Sequence, residues 1–154
     1  MHKEISIREF DLKKHPDVLD EFNSTEWSLS DGDHVGEVTK EYPKRKAVYV
    51  ARDENQAIIG YAVMETNTGV ASIDAVIVKQ SERGKGVGKL LVQHLIDSAR
   101  EKECHVIKLE TGMHWKARPF YEKFGFKIRA VLPNYYLNQE FVLMDLRLQG
   151  PEVL

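Results

Sequence analysis

The chain has 154 residues, a length that suits one domain, 1–154, with a proper buried core. Its 22 basic and 24 acidic residues leave a net charge of −2, which excludes the basic field of a non-specific nucleic-acid binder, and its one cysteine, Cys104, excludes an intrachain disulfide framework. No run approaches the ~20 apolar residues of a membrane span, and the opening MHKEISIREF has no apolar signal core, so a soluble cytoplasmic protein is expected.

Glu4 to Phe10 alternates as E-I-S-I-R-E-F, the pattern of a half-buried first strand with Ile5 and Ile7 inward. Asp11 can cap the next segment, and Pro16 to Phe22 reads as a short helix with proline near its first turn. From Asn23 to Lys46 periodicity fades, with room for one short second helix. Ala47–Ala51 and Ile58–Met64 are strands joined by Asp53-Glu54-Asn55-Gln56, a hairpin by length and turn chemistry. Asn67-Thr68-Gly69 turns the chain into a strand from Val70 to Val78.

A glycine-rich turn follows, Arg83-Gly84-Lys85-Gly86-Val87-Gly88, and it leads into an amphipathic helix ending near Glu103. Val87, Leu91 and Leu95 form its stripe, widened by Leu90, Val92, Ile96 and Ala99. His105–Thr111 is the next strand, so a right-handed crossover should leave a locally parallel pair. Cys104, just past the stripe, suits a small buried hydrophobe. A short helix near Lys116–Phe124 stops at Gly125, and Phe126–Leu132 and Glu140–Leu148 make a closing antiparallel pair. The fold class is therefore α/β (α+β), a mixed, mostly antiparallel sheet flanked by helices.

The glycine turn has a chemical use. The first amides of a helix have no intrahelical partner, and the helix dipole favours negative charge there. Glycines keep Cβ atoms out of the way, so a pyrophosphate can sit directly on the amides, with Arg83, Lys85 and Lys89 around it. The Walker spacing fails because Gly88-Lys89 is followed by Leu90. The Rossmann spacing fails because the glycines fall at 84, 86 and 88.

What does fit is the pyrophosphate loop Q/R-x-x-G-x-G/A, met by Arg83, Gly86 and Gly88. It is followed by Ala117-Arg118-Pro119-Phe120-Tyr121-Glu122-Lys123-Phe124-Gly125-Phe126, which is similar to A-x-x-F/L-Y-x-K-x-G-F. Both segments resemble those of the GNAT N-acetyltransferases, most clearly from Ile58 to Phe126, with some resemblance to bacterial ribosomal-protein N-terminal acetyltransferases. The resemblance implies the acyl-CoA N-acyltransferase fold, in which two central parallel strands splay apart and the pantetheine of acetyl-CoA enters the gap. It assigns Val76, Ile77 and Val78 as backbone partners of that arm. Arg83, Gly84, Lys85, Gly86, Val87, Gly88 and Lys89 become the pyrophosphate cradle.

Acetyl transfer to an amine needs a proton acceptor, a donor for the oxygen that gathers charge, and a proton for the leaving thiolate. The resemblance gives Tyr121 the thiolate and a backbone N–H near Val78 the carbonyl. Glu110 is the first candidate base, matching the Leu-Glu of the ribosomal-protein enzymes, although Glu110 to Tyr121 is one residue shorter here. Asp74, Glu65 and His114 are the other candidates. His114 stands where the family often has an asparagine touching the cofactor. Tyr135-Tyr136 resembles the tyrosine pair that grips acceptor peptides, and Trp27 lies in the segment that borders the acceptor site in the family. No metal-ligand set is read. The acceptor is a small-molecule amine or a peptide or protein N-terminus, and a homodimer through the closing strands is a further expectation. The competing readings are a non-catalytic acyl-CoA-binding regulatory domain of the same fold and, behind it, a phosphate-binding domain of another class.

Overall fold

The computed structural model describes residues 6–22, 24 and 42–149, which belong to two units, 1–41 and 42–154. In the first unit, Ser6–Phe10 form no strand and Ile7 is 93% exposed, which corrects the first-strand expectation over the described residues. Alternation shows which face a strand would bury, but it supplies no neighbour to bond to. Asp11 caps no helix: its Oδ1 accepts the Lys13 N–H at 3.0 Å and closes a turn well ahead of α1 (Val18–Phe22). Trp27 and the weakly patterned stretch 25–41 lie outside the described residues.

The second unit carries a six-stranded sheet built from β1 (Arg45–Arg52), β2 (Ile58–Asn67), β3 (Val70–Val78), β4 (Val106–Gly112), β5 (Lys127–Leu132) and β6 (Phe141–Arg147). Its order is β1-β2-β3-β4-β6-β5, with all pairs antiparallel except β3–β4. The Asp53 carboxylate closes the first hairpin by accepting the Asn55 and Ala57 N–H groups, each at 2.9 Å. Thr68 (φ +54°) and Gly69 (φ +80°) make the two-residue turn of the second, as a twist-matched hairpin requires.

Helix α2 (Val87–Glu101) covers one face of the sheet and buries Leu91, Val92, Leu95, Ile96, Ser98 and Ala99. Leu90, expected in that stripe, is instead 72% exposed on the stripe's edge. The core joins these residues to Met64, Ile107, Val142 and Met144 and includes Cys104. Buried Ser98 is satisfied by the Tyr49 hydroxyl at 2.7 Å and by Lys102 Nζ at 2.6 Å. Helix α3 (Ala117–Glu122) gives way to a turn completed by Gly125 at φ +97°.

The strand pair that matters most is β3–β4. Its parallel ladder holds only Val70–Val106, Ala71–Ile107 and Ser72–Lys108. Beyond Ser72 the register of β3 against β2 slips, leaving Asp74 opposite no partner, while β2 still pairs β3 through Val78. A bulge of this kind re-aims the strand. The two central strands therefore part, as the resemblance implied.

Candidate active site

Two open clefts border this gap, one after the other along β3. The first, about 590 Å³, is lined by Val76, Ile77, Val78, Arg83, Gly84, Gly88, Phe120 and Tyr121, with Lys116 and Ala117 at the start of α3. The second, about 670 Å³, takes in Ser72–Asp74, Glu65, Lys108–Glu110, Tyr135, Tyr136 and Phe141.

The first cleft presents backbone donors. Lys79 donates its N–H to the Ile59 carbonyl at 2.8 Å, so in an antiparallel ladder the N–H groups of Val76 and Val78 face the opposite way, into the gap. The same alternation directs the Ile77 amide to Tyr61 of β2, which leaves Ile77 to contribute its half-exposed side chain. At the rim, Gly84 and Gly86 adopt φ +75° and +84°, and a Cβ on either would meet no atom within 4 Å. Gly86 is the N-cap of α2. The loop thus offers open backbone at a helix N-terminus, and a pyrophosphate fits it. Arg83 donates from Nε to the Val78 carbonyl at 3.0 Å, and Lys85 meets Glu82 at 3.1 Å. Lys89 faces another cleft, between α2 and α3, with Gln93, Arg100 and Lys123.

Tyr121 closes the floor of the first cleft. Its ring packs edge-on against Phe120 and Phe126, at 5.2 and 5.6 Å between centroids. Burial pushes its phenol up to about 12, so the hydroxyl keeps its proton at any ordinary pH.

Leu109 and Thr111 are buried in the sheet, and Glu110 between them projects from the opposite face of β4 into the second cleft. There its Oε2 accepts the Tyr135 hydroxyl at 2.9 Å, and Tyr136 stands alongside. Asp74 and Glu65 share the cleft but already meet lysines, Asp74 with Lys46 at 3.9 Å and Glu65 with Lys44 at 3.4 Å. His114 lines neither cleft: its side chain is 86% exposed, with Nε2 4.0 Å from Glu140. Sequence reasoning missed Lys44, Lys46 and Lys108 because an exposed lysine on a strand carries no signal of what faces it. Phe120, inside the tyrosine motif, could have been found there.

Residues 16–126 match the acetyltransferase (GNAT) family. The chain belongs to it. The GNAT chain is 36% identical over 83 residues to an alanine N-acetyltransferase of ribosomal protein bS18 from Haemophilus influenzae, and the match covers 54% of the chain and 57% of that enzyme. The stretch thus spans just over half of that relative. Among solved structures, an acetyltransferase from Bacillus cereus ATCC 14579 superposes with a TM-score of 0.68 at 20% identity, covering 96% of this chain and 97% of that one, a likeness of fold. A protein assigned as a streptothricin acetyltransferase of Bacillus anthracis, in complex with acetyl coenzyme A, gives a TM-score of 0.61 at 30% identity, covering 71% and 65%. Among the described residues, no helix is long and apolar enough to cross a membrane.

Proposed function

We propose that this GNAT chain is an acetyl-CoA-dependent N-acetyltransferase that acts on a primary amine by direct attack, as one catalytic domain in the cytoplasm. The observation that carries the reading is the parting of β3 from β4 after Ser72. Val76, Val78 and Tyr121 line one cleft beside the gap, and Glu110 lines the other.

Acetyl-CoA, when bound, supplies an acetyl group activated as a thioester. The protein's part follows from its own atoms. Amides of the turn from Gly84 to Gly88 and the Arg83 guanidinium hold phosphate. The Val78 N–H, aimed into the gap, donates to the oxygen that gathers charge. The Glu110 carboxylate accepts the proton of the incoming ammonium, and the Tyr121 hydroxyl donates to the departing sulfur. A protonated phenol suits that last role.

The acceptor class is a peptide or protein N-terminus in preference to a polycationic amine. Tyr136 stands 58% exposed on the rim of the second cleft, and Lys44 and Lys46 offset two of its carboxylates. The bS18 relative, by its name, acts on an alanine of a ribosomal protein.

The test begins with thermal unfolding in the presence of acetyl-CoA, CoA, ATP or NAD. A ligand at about 100 times its dissociation constant adds roughly 2.7 kcal/mol, and stabilisation by the two CoA species alone is expected. Release of free thiol from acetyl-CoA is then followed with peptides bearing a free N-terminal alanine and with spermidine. Stabilisation by ATP or NAD instead, or CoA binding without thiol release on any amine, would reject the enzyme.

A further inference from the structure

Glu110 is held differently from the other carboxylates of its cleft. Among the described residues, Glu65 and Asp74 meet lysines, whereas Glu110 meets a neutral hydroxyl, that of Tyr135, at 2.9 Å through Oε2. Tyr135 is in turn fixed from several directions. Its N–H donates to the Gln139 carbonyl at 2.9 Å and its carbonyl accepts the Asn138 N–H at 3.2 Å. Its ring lies 5.7 Å from that of Phe141, which is also flanked by Tyr136 at 5.6 Å and Trp115 at 5.1 Å. Trp115 Nε1 donates to Gln139 Oε1 at 3.2 Å, tying the loop down at its far side.

The loop keeps this shape at a cost. Asn134, Leu137 and Asn138 all have positive φ, 48°, 49° and 60°, and Leu137 is 77% exposed. A leucine in the left-handed region is strained, and such strain persists only where the surroundings over-determine it. Nothing apolar is gained at Leu137. What the shape delivers is the Tyr135 hydroxyl at Glu110.

We infer that Tyr135 is a positioning residue that sets the orientation of the Glu110 carboxylate, and so governs turnover more than acceptor affinity. The inference rests on Glu110 being the base proposed above. The Tyr135 phenol is itself pushed up, first by its hydrogen bond to Glu110, then by that residue's charge and by burial. The other charged groups lining the cleft are Glu65, Asp74 and Lys108.

The experiment compares Tyr135→Phe, Glu110→Gln and the double variant, using the acceptor of the peptide and amine panel that turns over fastest. Tyr135→Phe should lower kcat about tenfold and move KM by less than about twofold. Added to Glu110→Gln it should cost nothing more, because the residue it positions is already gone. A raised KM at unchanged kcat would overturn the inference and make Tyr135 an acceptor contact. Full activity of Glu110→Gln would reject the base and the inference together; an inactive Glu110→Gln beside an unaffected Tyr135→Phe would reject the inference alone. A second measurement needs no acceptor. In an absorbance titration of the tyrosines, Glu110→Gln should move one tyrosine to lower pH, and that transition should be missing in Tyr135→Phe. No movement on Glu110→Gln would overturn the contact itself.

Discussion

The Arg83 guanidinium reaches back to the end of β3 and donates from Nε to the Val78 carbonyl at 3.0 Å. One side chain thereby links the glycine turn to the residue whose N–H faces the gap. Arg83→Ala should weaken CoA binding by about ten- to a hundredfold, the loss of one or two charge-assisted hydrogen bonds. Arg83→Lys should restore part of it, since an ammonium lacks the planar fork. Titration calorimetry with CoA reads both, and unchanged affinity in Arg83→Ala would leave the backbone amides as sole holders of phosphate.

Gly86 separates conformation from ligand contact. At φ +84°, an alanine costs roughly 1 kcal/mol in the left-handed region, although its Cβ meets nothing within 4 Å. Gly86→Ala should therefore melt only a few degrees lower, about 2–4 °C per kcal/mol at this size. CoA affinity should fall by more than that strain explains, because the added methyl stands in the open cradle. Equal losses would place the phosphates elsewhere.

Tyr121 ties catalysis to stability at high pH. A free phenol titrates near 10 and the buried one at about 12, so below pH 10 both states are protonated and the burial preference is fully present. As pH rises from 10 to 12 the unfolded chain loses its proton first, and on the order of 2–3 kcal/mol of stability disappears. Tyr121→Phe should lose less stability than wild type between pH 9 and pH 11 in denaturant titrations. The same variant keeps the ring packing but should lower kcat by about a hundredfold or more.

Cys104 is 2% exposed, and burial pushes its thiol up while the Lys102 ammonium pulls the other way. Thiolate is therefore scarce in the folded protein. A thiol reagent should modify native protein far more slowly than protein in denaturant, and Cys104→Ala should leave acetyl transfer intact. Rapid labelling of native protein would reject the reading of Cys104 as a packed hydrophobe.

The elements with strong local signals were legible. The hairpin turns, the strand–glycine–helix succession and the closing pair each rest on residues close in sequence, and each appears within a few positions of its expected bounds. Ser6–Phe10 shows the limit, since period 2 describes a face and not a partner. The parting of β3 and β4 was available only through resemblance: Ile73, Ala75, Val76, Ile77 and Val78 read as one strand, and the charged Asp74 among them does not announce that it will have no opposite number. Glu110 and Tyr135 could each be singled out, but their contact depends on β6 lying beside β4, a pairing of residues far apart in the chain.

The insertion of β6 between β4 and β5 also bears on how the molecule comes into being. β5 leaves the ribosome before β6, yet within the sheet its bonds run to β6. Until Phe141–Arg147 has been made, β5 can only wait, and the loop that carries Tyr135 cannot settle over Glu110. Val142 and Met144 of β6 also sit in the core with the α2 stripe. A nascent chain halted before Phe141 would therefore lack part of the packing beneath both clefts, and the two should become competent together.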